Sequence, residues 1–575
     1  MKKRINLGKV FKKAVKGYKK LKSLKEKEVS PPLETMKILA SYLQILPEKA
    51  KPPEEKVRKP EEKIEKKEIV KIKQPQVDLR TINVVYPLIV SRKDNTPLAT
   101  AQIKWSEAES SLVYYLIEPE LTSQEKDLLE KIKTTLIEKL DVDFTTLRKD
   151  EAKEYLKKKF EEQVNLMATE LSEERKKYLL YYIERDFIGL GKIEPLMQDP
   201  YIEDISCDGV GIPIFVYHRN PYIASVRTNV VFENKEELDI FVMKLAQRCG
   251  KTLSIAQPLV DGTLPDGSRV QATLGTDIAR KGSNFTIRKF TKRPLTPTHL
   301  IKFKTIDPKI AAFLWLAVEY GRSILISGGV ASGKTTLLNA LSLFIRPELK
   351  IVSIEDTAEL VLPHPHWVPG VARLPIAEVG GKKLGEVDLF DLLKESLRQR
   401  PDYLIVGEVR GKEAYVLFQQ IATGHSSLST IHADTFERLV DRLTTPPISL
   451  PATLIEALDL IIFVVRIKYG QVYVRRVNKI YEIIGYDRKN NRPIVNEIFR
   501  WNPANDTFEE VNPPSVLKKI SEQYGIPLEE LKIEMEKRIK VLNWMVERNI
   551  EDYVDVARVV KLYYSNPEEL LASIS

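Results

Sequence analysis

The run Gly328-Gly329-Val330-Ala331-Ser332-Gly333-Lys334-Thr335 has the form G-x-x-x-x-G-K-[ST]. Glycines at such spacing let backbone N–H groups curl around phosphate oxygens, and the dipole of a following helix adds partial positive charge. Lys334 would then reach the β- and γ-phosphates, the Thr335 hydroxyl would ligate Mg²⁺, and Thr336, at the helix start, counts among the nucleotide-binding residues. Further chemistry-bearing residues follow in order. Ile351-Val-Ser-Ile-Glu355-Asp356-Thr-Ala-Glu359 ends in acids, and so does Asp402-Tyr-Leu-Ile-Val-Gly407-Glu408. Carboxylates beside a phosphate site can orient water and support a metal ion. Glu355 is the first choice for polarising an attacking water and Glu359 the second. Glu408 is assigned to Mg²⁺ through a water. In Thr423-Gly-His425-Ser-Ser-Leu-Ser-Thr-Ile-His432-Ala433, two histidines flank an apolar segment expected beside the phosphates.

These residues need strands that end at one place. Arg322-Ser-Ile-Leu-Ile326 reads as a short apolar strand before the loop, and Thr336-Leu-Leu-Asn-Ala-Leu as a helix start after it, the setting a phosphate loop requires. The acid-ended and histidine-flanked runs read as further buried strands, so residues 305–512 have the β–α alternation of a nucleotide-binding domain. Gly407 stands where most strands of the second acidic type carry Asp.

With these motifs in this order, the chain resembles the type II/type IV secretion superfamily of ATPases, which includes pilus-assembly, type II secretion and archaellum motors. The resemblance covers about residues 77–570. Upstream, Asp199-Pro-Tyr-Ile-Glu-Asp-Ile-Ser206, Asp261-Gly-Thr-Leu-Pro-Asp-Gly-Ser-Arg269 and Asn284-Phe-Thr-Ile-Arg288-Lys289 are similar to that family's second N-terminal domain. Downstream, Phe499-Arg-Trp-Asn-Pro-Ala-Asn-Asp-Thr-Phe508 and a helical tail resemble its archaeal branch. The four-cysteine zinc module of many bacterial members has no counterpart, and the retraction motors' C-terminal motif is not recognisable; both departures point to the archaeal-type assembly or secretion branch. The resemblance implies a RecA-like P-loop domain preceded by an α+β N-terminal domain, ATP and Mg²⁺ as cofactors, a homohexamer, and a polytopic membrane platform protein as partner. It implies that ATP sits between the two domains, with Arg269 and Arg288 as the arginines reaching across the cleft; Arg398, Arg400 and Arg410 are weaker candidates. His425 and His432 stand for its His box.

Composition bounds the alternatives. Two cysteines, Cys207 and Cys249, build neither a disulfide framework nor a zinc site, which suits a reducing compartment. No run of ~18 apolar residues or signal peptide is seen. The expected location is cytoplasmic, peripheral to the inner face of the cell membrane. The net charge is +10, yet residues 1–28 hold 12 Lys and Arg against 2 Glu, so the rest of the chain is neutral. That argues against a nucleic-acid translocase with a RecA-like core, and no nucleic acid is expected. A non-catalytic scaffold is disfavoured by intact Lys334, Thr335, Glu355 and Glu408. His364-Pro-His366 reads as a loop, and His218 and His299 have no recognisable partners.

The expected organisation is a basic amphipathic tail (1–29), a charged Pro/Glu/Lys linker (30–76), a small α+β region (77–150), a second α+β domain (151–290), a linker (291–304), the RecA-like domain (305–512) and a helical region (513–575). At 100° per residue, Leu7, Val10, Phe11, Ala14, Val15, Tyr18 and Leu21 share an arc of about 140°, with lysines opposite. Such a helix suits an anionic membrane surface or a partner. Residues 151–187 read as one long charged helix, and Lys235 to Arg248 as a helix between strands.

Overall fold

The computed structural model describes residues 78–574 apart from 92–93, 140–148, 168–170, 221, 276, 291–292, 374, 376, 380–381, 470–471 and 491. The basic tail and the linker expected over 1–76 lie outside the described residues.

Two nine-stranded sheets organise the chain. The first contains β1 (Asn83–Val90), β2 (Pro97–Ser106), β3 (Ser111–Ile117), β4 (Ile202–Cys207), β5 (Pro213–His218), β6 (Ser225–Val231), β7 (Leu259–Thr263), β8 (Arg269–Thr273) and β9 (Asn284–Arg288), in the order β1-β2-β3-β6-β5-β4-β9-β8-β7. Strands from both sides of residue 150 therefore share one sheet, joined where β3 runs parallel to β6. Buried Asp199 ties the join: its Oδ2 accepts the hydroxyls of Tyr86 and Tyr114, each at 2.7 Å.

The second sheet begins with β10 (Ile324–Gly328), β11 (Ile351–Glu355) and β12 (Trp367–Val371). A hairpin of β13 (Ala377–Val379) and β14 (Lys382–Leu384) stands apart as a two-stranded sheet. There follow β15 (Tyr403–Val409), β16 (Ser426–Ile431), β17 (Leu460–Tyr469), β18 (Val472–Asp487), β19 (Arg492–Asn502) and β20 (Thr507–Glu510), giving the order β12-β11-β15-β16-β10-β17-β18-β19-β20. From β12 to β17 the neighbours are parallel; from β17 to β20 they are antiparallel. Strands β10 and β11 are buried at every position, as parallel strands covered on both faces must be. In such a sheet the carboxyl ends of the strands converge on the ligand side, and there the P-loop, Glu355, Glu408 and His432 gather.

The helix Pro308–Glu319 starts with Asp307, whose side chain accepts the Ile310 N–H, and with proline at its first turn. Its residues Ile310–Val318 are all buried. They pack against the sheet on one side and the C-terminal helices Leu528–Glu547 and Tyr553–Ser565 on the other. Trp315 stacks on Phe344 with centroids 4.9 Å apart, and its Nε1 donates to the Tyr564 hydroxyl at 2.8 Å. The helical C-terminal region is thus part of the nucleotide domain's core. Among the described residues, no helix is long and apolar enough to cross a membrane.

Three local features differ from the sequence reading. The long helix expected over 151–187 is two, Lys149–Leu166 and Glu173–Phe187. Ser172 caps the second by accepting the Arg175 N–H, and Arg175 binds Glu125 of the earlier helix Ser123–Lys139, so a new helix start replaces a continuation. The segment 291–304 contains a helix, Pro297–Lys302, closed by a capping box of Thr296 and His299. His218, without a visible partner in the sequence, is buried with Nδ1 accepting the Asn220 N–H.

Arg538 is 2% exposed, bridges Glu319 and Glu534, and lies over the Trp315 ring. Among the described residues, Arg538→Ala leaves Glu319 with Arg346 as its ion-pair partner. Stripping one partner from a buried pair should lower unfolding free energy by about 3 kcal/mol, read as a lower urea midpoint at unchanged slope. A loss under about 1 kcal/mol would show the pair to behave as a surface bridge.

Candidate functional site

Gly328 ends β10, and a Cβ there would lie 2.3 Å from the Val464 carbonyl oxygen; Gly329 faces Asp434 in the same way, at 2.9 Å. Val330 and Ala331 form the exposed apex. Ala331 sits at φ +56°, a left-handed conformation that costs a non-glycine residue about 1–2 kcal/mol. Ser332 turns inward, its hydroxyl donating to the Gly329 carbonyl at 3.0 Å. Gly333, at φ +94°, caps the helix Lys334–Ser342. Thr335 and Thr336 lie half-buried in that helix's first turn. The Lys334 ammonium spans the loop, donating to the carbonyls of Gly328 at 3.1 Å and Gly329 at 3.0 Å, with His432 Nδ1 at 3.4 Å. Burial lowers its pKa, against the pull of Glu408 and Asp434.

Glu355, the last residue of β11, is 3% exposed. Its Oε1 accepts the N–H groups of Glu359 and Leu360 at 3.0 and 3.1 Å. Those bonds favour the charged form, but burial outweighs them and pushes its pKa up to about 7. Gly407 packs on it: a Cβ at 407 would lie 3.1 Å from the Glu355 Cγ, which accounts for a glycine where related strands carry Asp.

Glu408 behaves oppositely. Burial pushes its pKa up, but Arg410, Lys334 and His432 win and hold it below the ordinary glutamate value. Arg410 reaches two acids, Glu408 at 2.6 Å and Asp356 at 3.0 Å, and so spans the ends of β15 and β11. Arg398 and Arg400 precede β15 at its far end, where Arg398 pairs with Glu395.

From the first sheet, Arg288 and Arg269 are register partners on β9 and β8. The Arg288 guanidinium lies 3.7 Å from Glu359, and Arg269 is among the cations acting on Asp356. The structure thus brings together Lys334, Glu355, Glu359, Glu408, Arg269, Arg288 and His432. It does not bring His425 to them. His425 and His432 flank the six residues of β16, so they stand at opposite ends of it, about 23 Å apart at ~3.3 Å per residue; His425 contacts Thr423 instead. His364 turns inward to the Ile345 carbonyl at 2.9 Å, in keeping with a loop residue.

Two residues at the site carry no sequence signal. Asp434 follows the histidine-flanked strand and faces Gly329. Arg475, on β18, donates to the Ala331 carbonyl; nothing near it in the sequence marks it out. Donors that could hold Mg²⁺ beside the loop are the Thr335 hydroxyl and, through water, the charge-stabilised Glu408 carboxylate. One hydroxyl and one carboxylate fit an ion that keeps most ligands as water and phosphate oxygen.

The family model described as "Type II/IV secretion system protein" matches residues 217–489. The Methanocaldococcus jannaschii protein MJ0900 is 41% identical over 396 residues, which cover 68% of this chain and 70% of that protein. The type IV secretion system protein PtlH of Bordetella pertussis is 31% identical over 282 residues, 43% of this chain and 81% of its own length. Among solved structures, the DotB ATPase of Legionella pneumophila aligns loosely, with 16% identity over 65% of this chain and 94% of its own and a TM-score of 0.36. Its relatives span an archaeon and a bacterium, and the chain belongs to the family of type II/IV secretion system proteins.

Proposed function

We propose that the chain is a Mg²⁺-dependent ATPase whose turnover drives a membrane-embedded machine for assembling pilus-like filaments or secreting protein. The observation that carries this reading is the meeting of Arg288, from the first sheet, with Glu359, from the second, beside a complete P-loop. A polyanion bound there would be held from both sheets, so its binding and loss would favour different arrangements of the two.

The geometry supports the following roles. The P-loop N–H groups and Lys334 hold the β- and γ-phosphates. Mg²⁺ at Thr335 and Glu408 would neutralise phosphate charge. Glu355 takes the proton of the attacking water as its oxygen bonds to the γ-phosphorus and the bond to the β-bridging oxygen breaks. Arg288 and Arg269 stabilise the charge on the transferring group, with Glu359 the alternative base. His432 hands Lys334 over to phosphate. His425 faces elsewhere in this chain and has no role in this scheme.

The family and its relatives support an ATPase of secretion type. A homohexamer, a polytopic membrane platform as partner, a place at the inner face of the cell membrane, and recruitment to anionic lipid through residues 1–28 extend the same reading. Archaellum assembly or rotation is the alternative within it.

Lys334→Ala should abolish Mg²⁺-dependent ATP hydrolysis, since it removes charge from the transferring phosphoryl group; turnover like the wild type would sink the assignment. Arg269→Ala and Arg288→Ala should lower kcat while nucleotide affinity stays near normal, because such arginines act on transition-state charge. If both hydrolyse normally, the cleft needs other cations.

A base must be ionised to work, and burial raises the Glu355 pKa, so activity falls as pH drops through it. With Mg²⁺ in excess, kcat/KM should rise with pH and level off above a midpoint of about 7. Glu355→Gln should slow turnover by about 10²-fold or more and flatten that limb. If only Glu359→Gln does so, the two acids exchange roles.

A further inference from the structure

Arg475 belongs to the antiparallel extension of the nucleotide sheet and to none of the phosphate-binding motifs. Its Nε donates to the Ala331 carbonyl at 3.1 Å. Its Cδ lies 3.3 Å from where a Cβ on Gly333 would stand, so the side chain lies along the outside of the loop from residue 331 to residue 333. Among the described residues no carboxylate pairs with Arg475.

The apex has little else to hold it. Val330 is 81% exposed. The inner hydrogen bonds of Ser332 and Lys334 end on the carbonyls of Gly328 and Gly329, which tie the base of the loop and not its tip. Yet the tip carries the one non-glycine residue of the loop in the left-handed region, Ala331 at φ +56°. An alanine stays there only when its surroundings hold it. The Arg475 bond falls on that residue's own carbonyl.

The direction of that bond matters. In a trans peptide the C=O and the next N–H point opposite ways. Holding the Ala331 oxygen toward Arg475 therefore turns the Ser332 N–H away from that side chain, free to meet a phosphate oxygen on the opposite side of the loop. The support is rigid, because β18 is paired to β17 with Arg466 opposite Arg475, and β17 is paired to β10, the strand that enters the loop.

We propose that Arg475 is a positioning residue that holds the P-loop apex in its phosphate-binding conformation and compensates for alanine at a left-handed position. The proposal rests on the reading of this loop as the ATP site. It makes nucleotide affinity depend on a strand outside the motifs. A loop that holds the competent shape only part of the time binds more weakly by that fraction, but reacts normally once filled.

The test uses the full chain and four proteins: wild type, Arg475→Met, Ala331→Gly and the double variant. Binding of a fluorescent ATP analogue, ATPase kinetics and thermal melting are measured for each. Arg475→Met should raise Kd and KM about tenfold with kcat within about twofold of the wild type and melting unchanged. Glycine takes up φ +56° without strain, so the double variant should return Kd to within about threefold of the wild-type value. Should the Met variant misfold, Arg475→Lys, which keeps the charge and loses the Nε donor, is read the same way. An unchanged Kd in the Arg475 variant overturns the proposal. So does a loss that Ala331→Gly does not rescue, the pattern of an arginine touching nucleotide directly. Lys334→Ala is the control: if it binds the analogue as tightly as the wild type, the reading of the site as an ATP site fails first.

Discussion

The site depends on keeping the carboxylate of Glu355 dry. It ends a strand buried at every position, and two backbone N–H groups hold one of its oxygens. Burial withholds water from the acid and, against the pull of those two bonds, raises its pKa to about 7, where a proton acceptor is most effective. Much of the surrounding geometry serves that condition. Gly407 leaves room for the side chain, and the turn through Glu359 and Leu360 presents the two N–H groups. Glu408, at the end of the neighbouring strand β15, is given Arg410 and stays charged. Burial raises one glutamate beside the loop while Arg410, Lys334 and His432 lower the other, a divergence that suits the proposed division between proton transfer and charge holding.

The same acids explain why cations arrive from several elements. Lys334 comes from the loop, Arg410 from the end of β15, and Arg288 and Arg269 from the other sheet. They are held by the loop, by the end of β15 and by the first sheet, so a ligand that neutralises several of them adds to the Arg288–Glu359 contact between the two sheets. The single nine-stranded first sheet gives Arg288 a firm base, because β9 lies inside it, between β4 and β8.

Much of this was legible in the sequence, for a physical reason. Strands buried on both faces appear as unbroken apolar runs, and when a run ends in Gly, Glu or His the chemistry sits where the strand stops. Hence β10, β11, β15 and β16 and the residues after them could be read directly, and the helix Lys235–Arg248 was visible from its period. What could not be read depends on pairings distant in the chain. The parallel contact of β3 with β6 joins segments more than a hundred residues apart, and Arg475 reaches the P-loop across 144 residues. His425 was a different kind of miss: a strand of six residues cannot bring both its flanking residues to one end, and strand length alone would have excluded it. The break at Ser172 was also present locally, as a serine that caps a helix start.

The most direct test is to titrate Glu355 itself. Infrared difference spectra of the carboxyl band, wild type minus Glu355→Gln, taken across pH would isolate this one group. The account requires a band that ionises with a midpoint of about 7. A midpoint near the ordinary glutamate value of about 4.3 would contradict it, since the acid would then be solvated and no better placed as a base than Glu359.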